Sequence, residues 1–215
     1  MDPPKKFEFH LDSEGLFWWK LKMTSLVFWF NSIVALLLMT IAYYTLDEET
    51  IFQIVREYAN NSKLIFGELN WTNFLLFSYY YCILSPVTEE LIYRYPIILL
   101  LKKNFSVKLW SHSLTKVSIL LIILLLNSLW GYSHIWTPIQ SLQKNYYHLI
   151  PPFLVGFPLY WLVIKTRTLW PAILCHGALN FSLYFLVQLM IYLEFNPVSV
   201  IALLFKALRA IQPVP

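Results

Sequence analysis

Glu89, Glu90 and Arg94 are the only charged side chains in the apolar stretch from Trp71 to Leu101. Carrying one charged side chain to mid-bilayer costs at least ~2.5–3.5 kcal/mol on insertion scales, so three within six positions are expected to have a use. Later apolar stretches carry His134 and, further on, His176 with Asn180. One carboxylate and two imidazoles can position a water and take its proton. An Asn amide or His N–H can donate to a developing oxyanion. Glu89, His134 and His176 could equally hold Zn²⁺, with water in the fourth place. Both routes hydrolyse an amide, and the residue types alone leave the choice open.

Helical spacing sorts these groups. Glu90 and Arg94 are four apart and face one another. In a dry environment such a pair is mutually neutralising and mainly structural. Glu89 points about a quarter turn away and has no partner of its own at helical spacing, which leaves it as base or ligand. His176 and Asn180 share one face, and Trp130 and His134 repeat that spacing, so the indole is expected to wall the site and to serve packing rather than chemistry.

The elements that position these groups are membrane helices. Of 215 residues, 58% are hydrophobic and 13% charged, whereas soluble domains carry roughly 25% charged residues. Too little polar surface remains to coat a globule, so lipid is the expected solvent for much of the chain. Nine Trp, 14 Tyr and 16 Phe suit interfacial belts. The net charge of +4 is scattered, and nucleic acid is not implied. Cys82 and Cys175 fall in apolar stretches and read as small apolar side chains.

Residues 1–22 read as a cytoplasmic, interfacial segment without a cleavage site, and 23–215 as one transmembrane domain. Met23–Leu46 is the first span. Lys20 and Lys22 precede it and Asp47, Glu48 and Glu49 follow it, which places the N-terminus inside. Thr50–Asn70 reads as an interfacial helix with a loop at Asn60–Ser62. Trp71–Leu101 is one kinked span or two segments, with the break expected at Ser85-Pro86. Val117–Trp136, a short Leu149–Ile164 opened by Pro151-Pro152, and Leu169–Leu193 follow, and 197–205 is a half-helix or tail. The expected fold is an all-α, polytopic bundle of about six to eight membrane segments.

Counting from basic anchors at ~1.5 Å per residue puts Glu89 and Asn180 level, roughly 20 Å from the cytoplasmic end, and His176 at roughly 14 Å. His134 comes out at roughly 27 Å, which calls for tilt, a kink or a helix that starts later than Val117, and Gly131 offers a bend nearby.

Three segments then resemble the motifs of the CAAX-protease and bacteriocin-processing (CPBP, or Abi) intramembrane proteases. Glu89-Glu90-Leu91-Ile92-Tyr93-Arg94 is similar to their EExxxR motif, Trp130-Gly131-Tyr132-Ser133-His134 to FxxxH, and His176-Gly177-Ala178-Leu179-Asn180 to HxxxN. The resemblance runs from about residue 74 to 184, in the right order. It departs at Tyr95, where the family usually has Gly, and at Trp130, which stands for Phe. It implies an all-helical core with an intramembrane site open to the cytoplasm. Glu89 would activate water, His134 help position it, and His176 with Asn180 stabilise the oxyanion. The family is commonly labelled metalloprotease, with a metal-free glutamate route argued for some members. The expected partners are the bilayer and a membrane-associated peptide or protein substrate; whether that substrate is prenylated is not readable from the residues.

The rival class is non-enzymatic: a proton-coupled transporter subunit, or a scaffold or immunity-type protein keeping the fold. The absence of an internal repeat weighs against the first, and retention of every reactive residue against the second. A prokaryotic plasma membrane is the default location. His10, His112 and His148 read as solvated near interfaces, and Asn70-Trp71-Thr72 fits a glycosylation sequon.

Overall fold

The computed structural model describes residues 13–45, 70–103, 113–134 and 142–192. These residues are all helical in the main and contain no strand. The helices are α1 (Ser13–Thr45), α2 (Trp71–Tyr79), α3 (Ser85–Tyr93), α4 (Tyr95–Lys103), α5 (Ser113–Ser133), α6 (Leu142–Thr166) and α7 (Trp170–Tyr192), with a π-helical turn, Tyr80–Leu84, between α2 and α3. The expected interfacial helix at Thr50–Asn70, apart from Asn70 itself, lies outside the described residues, as do His10, His112 and the piece at 197–205.

Among the described residues, two stretches are long and apolar enough to cross a membrane: Ser13–Leu38 and Leu149–Thr166. Val117–Ser133 is apolar but shorter. The first stretch begins ten residues before the expected Met23, so the aromatic lead-in and the span are one continuous helix. Glu14, exposed in its first turn, suits the positive end of the helix dipole. Near this end Phe17 stacks on Trp170 at the start of α7 (5.7 Å between ring centroids).

The chain from Trp71 to Lys103 is nearly one helical run. Asn70 opens it as an N-cap, its side-chain oxygen accepting from the Asn73 N–H at 2.8 Å. The break expected at Ser85-Pro86 takes the form of the π turn, after which a new α-helix opens at Ser85 with Pro86 in its first turn. A second interruption falls nine residues later, at Arg94. Pro96 explains this, because it has no N–H to return to the Ile92 carbonyl and sits readily in the first turn of a new helix.

Helix α6 is longer than the short span expected, and Pro151, Pro152 and Pro158 lie inside it rather than at its start. Polar side chains from neighbouring helices bond to its backbone near the prolines. Asn127 of α5 donates to the Phe153 carbonyl at 2.7 Å and Asn31 of α1 to the Val155 carbonyl at 3.4 Å. Both asparagines are fully buried. Lipid supplies no hydrophobic drive between helices, so such bonds and close backbone packing, at roughly 0.6 kcal/mol per bond, hold them together. Gly156 is the contact point: a Cβ there would stand 1.9 Å from Asn127 Oδ1 and 2.9 Å from Trp130 Cε3.

A three-residue turn, with Arg167 at φ 55° donating its N–H to the Val163 carbonyl at 2.8 Å, folds α7 back beside α6. Val27, Ile98, Trp130, Leu159, Leu162, Val163, Ala172 and Cys175 form the core where α1, α4, α5, α6 and α7 meet. Leu, Phe and Trp side chains face outward along α1, α2 and α5.

Candidate active site

Glu89 and Glu90 project from α3, one turn beyond the π turn, Trp130 and His134 from the end of α5, and His176 from the second turn of α7. Tyr160 comes from α6. The cluster therefore forms where four helices meet, and one buried ring, Trp130, touches nearly every member.

Both Glu89 oxygens accept. Ser85 donates its hydroxyl to Oε1 at 2.5 Å, and the Trp130 indole N–H donates to Oε2 at 2.5 Å. The expectation that Glu89 lacks a partner at helical spacing is thus corrected, since Ser85 lies four residues before it. His176 Nε2 faces Glu89 Oε2 at 3.8 Å. The Glu89 side chain keeps 23% of its surface exposed, whereas Glu90 and Arg94 keep none. Of the two carboxylates, only Glu89 has surface exposed.

Glu90 and Arg94 pair as expected, Nη1 to Oε1 at 3.2 Å, both fully buried. The contact lacks hydrogen-bond alignment, and the guanidinium nitrogens have no hydrogen-bond partner among the described residues. Two aromatic faces stand in: the guanidinium carbon lies 4.0 Å from the Trp130 ring centre and 4.9 Å from that of Tyr160. Such cation–π contacts strengthen when desolvated. Tyr160 in turn donates its hydroxyl to the Tyr93 carbonyl at 2.8 Å, beside the helix break. Glu90 has a further task, for its Oε1 lies 3.0 Å from His176 Nδ1. A carboxylate accepts, so Nδ1 carries the proton and Nε2 is turned toward Glu89.

His134 sits one residue past the end of α5, where its N–H bonds back to the Gly131 carbonyl at 3.1 Å. Helix α5 ends before reaching it, and no bend at Gly131 is needed; the glycine instead receives Phe153 and Leu149 of α6. His134 Nδ1 donates to the Trp130 carbonyl at 2.8 Å, which leaves Nε2 as an acceptor. Both imidazoles meet the Trp130 ring edge-on, His134 at 5.1 Å and His176 at 5.5 Å.

The structure thus gathers Glu89, Glu90, Arg94, Trp130, His134 and His176. It does not bring Asn180 to the carboxylate: that side chain donates to the Tyr81 carbonyl at 2.9 Å. Sequence reasoning missed Ser85, the indole N–H and Tyr160. The first was signalled by its i−4 spacing and the second by Trp standing where Phe is usual; Tyr160 carried no signal.

Each imidazole has Nδ1 engaged by an oxygen, an arrangement that suits ligation through Nε2. Yet among the described residues no three His, Cys, Asp or Glu side chains stand together as a ligand set. Glu89, His134 and His176 do not close around an ion in this arrangement, so no chemical step is routed through one here.

The described residues thus form an all-helical, apolar fold with a buried carboxylate–imidazole cluster between its helices. The chain belongs to the type II CAAX prenyl endopeptidase Rce1-like family, whose model matches residues 71–182. That family is membrane-embedded, and the matched range contains every residue of the cluster. Comparison with curated proteins and with solved structures gives no match.

Proposed function

We propose that this chain is a CAAX-type intramembrane endopeptidase that hydrolyses a peptide bond in a membrane-anchored protein or peptide. The observation that carries the reading is Glu89: a partly exposed carboxylate, fixed by two donors and faced by an imidazole, inside an apolar helical fold. The family's description makes a prenylated CAAX peptide the first substrate to try.

In this reading Glu89 takes a proton from a water that also donates to His134 Nε2. The hydroxide attacks the scissile carbonyl carbon, and the carbonyl electron pair moves to oxygen. His176, held by Glu90 through Nδ1, donates from Nε2 to that oxygen when the ring carries both protons. Glu89 then passes its proton to the leaving nitrogen as the C–N bond breaks. Glu90 and Arg94 touch no reacting atom and keep His176 and Trp130 in place. Zn²⁺ on Glu89, His134 and His176 is the alternative, and metal analysis beside activity decides between the two.

We also take the chain to be multi-pass, with about six to eight membrane segments, a cytoplasmic N-terminus and a prokaryotic plasma membrane as its location. Reconstituted protein should cleave a farnesylated peptide ending in a CAAX sequence. A protein that cleaves neither prenylated nor unprenylated peptides, and whose Glu89→Gln variant behaves as wild type in cells, would instead be a scaffold.

A further inference from the structure

We infer that Ser85 is a positioning residue: the π turn frees its hydroxyl from the bond it would ordinarily make to its own helix and turns it on Glu89. Serine and threonine inside a helix often donate to the carbonyl four residues back. Thr24, Ser32, Thr88, Thr166 and Ser182 all do so, at 2.8 to 2.9 Å. Ser85 instead donates forward, to Glu89 Oε1 at 2.5 Å.

The backbone just before it accounts for the exception. The Ser85 N–H reaches five residues back, to the Tyr80 carbonyl. In the α register that N–H would serve Tyr81, and the hydroxyl would have the same carbonyl beneath it. The wide register carries the Tyr81 carbonyl out from under Ser85. That carbonyl accepts from Asn180 Nδ2 at 2.9 Å instead. The bond uses one amide hydrogen of Asn180 and leaves the amide a second.

Glu89 is placed to receive the freed hydroxyl. Side chains on a helix lean toward its N-terminus, so the carboxylate lies over the residue four back, which is Ser85. The bond has the short length of a charge-assisted O–H···O⁻ contact. Trp130 of α5 holds the other oxygen at 2.5 Å. One donor would let the carboxylate swing about a single bond. Two donors, on different oxygens and from different helices, fix its plane. Glu89 keeps 23% of its side-chain surface exposed. Water would therefore replace a lost donor without restoring the geometry. Ser85 touches no reacting atom; it sets where Glu89 stands. The consequence for catalysis rests on the endopeptidase reading, but the clamp on Glu89 does not.

The test compares wild type, Ser85→Ala, Ser85→Thr, Trp130→Phe and the double variant Ser85→Ala with Trp130→Phe, each as the full chain purified in detergent. In cleavage of a farnesylated CAAX peptide, Ser85→Ala should lose on the order of 10²-fold in kcat if the carboxylate drifts by about 1 Å. KM should stay within about threefold, as expected when ground-state binding is untouched. Ser85→Thr keeps a hydroxyl and should recover most of the loss. Both donors act on one carboxylate, so the double variant should lose less than the product of the two single losses. Wild-type kcat in a folded Ser85→Ala protein, no recovery in a folded Ser85→Thr protein, or fully multiplicative losses would each overturn the role. A peptide bonded covalently to Ser85 in a quenched wild-type reaction would overturn it too, by making the hydroxyl a nucleophile. The indole N–H resonance of Trp130 reads the clamp without activity, in protein carrying isotope-labelled tryptophan, and is assigned by its absence in Trp130→Phe. It should move in Ser85→Ala and return toward its wild-type position in Ser85→Thr; an unmoved resonance in Ser85→Ala would overturn the clamp. If wild type cleaves nothing, the endopeptidase reading fails, and this resonance alone decides for or against Ser85.

Discussion

The Trp130 indole N–H donates to Glu89 Oε2 while the Arg94 guanidinium lies 4.0 Å from the Trp130 ring centre. One side chain thus holds the reactive carboxylate at its edge and a buried cation at its face. Phenylalanine, the usual residue of the motif this segment resembles, keeps the face and loses the donor. Trp130→Phe is therefore expected to retain folding and lower kcat, by on the order of 10²-fold if Glu89 drifts by about 1 Å. Steady-state cleavage beside a melting curve checks this. Wild-type kcat in a folded Trp130→Phe protein would show the indole N–H to be dispensable.

Glu90 is expected to matter for stability more than for chemistry. Removing one partner of a buried ion pair leaves an uncompensated charge and costs about 3–5 kcal/mol. Glu90→Ala should therefore lose thermal stability and yield on purification. Glu90→Gln keeps an acceptor for His176 and should lose less. Equal melting of Glu90→Ala and wild type would mean that Arg94 finds another counter-charge.

Gly156 couples the core to the site. A methyl group there meets Asn127 Oδ1 at 1.9 Å and Trp130 Cε3 at 2.9 Å. Overpacking of this kind costs typically about 1–3 kcal/mol. Gly156→Ala should lower stability and, by pushing the indole, activity as well. An active, fully stable variant would show that α6 can move without cost.

Metal removal separates the two hydrolytic routes. Both Glu89 oxygens already accept from Ser85 and Trp130, and no three-residue ligand set closes among the described residues. Chelation should therefore leave cleavage intact, with less than one Zn²⁺ per chain by elemental analysis. Activity lost to a chelator and restored by Zn²⁺ would assign Glu89, His134 and His176 as ligands.

Much of the site was legible because lipid makes polar residues conspicuous. Glu89, Glu90, Arg94, His134 and His176 stood out against apolar surroundings, and helical spacing paired Glu90 with Arg94 correctly. Periodicity along one helix could not show contacts between helices. Trp130 read as packing because its N–H partner lies on another element, and the Asn180 bond to the Tyr81 carbonyl was not visible for the same reason. The break expected at Ser85-Pro86 occurs there as a π turn, and a second one, at Arg94, went unread. A proline marks where hydrogen bonds are lost, while neighbouring helices decide whether the run bends there. Helix α6 likewise runs on through Pro151 and Pro152, which had read as opening a short span, and Asn127 and Asn31 of its neighbours bond to its backbone just beyond them.

The most direct test of the central claim is cleavage of a farnesylated CAAX peptide by the reconstituted protein, wild type beside Glu89→Gln. Glutamine keeps the size of the side chain and one acceptor, but cannot take the proton of water. The account predicts cleavage by wild type and loss of most of it in a Glu89→Gln protein that melts as wild type does. Full cleavage by a folded Glu89→Gln protein would contradict it.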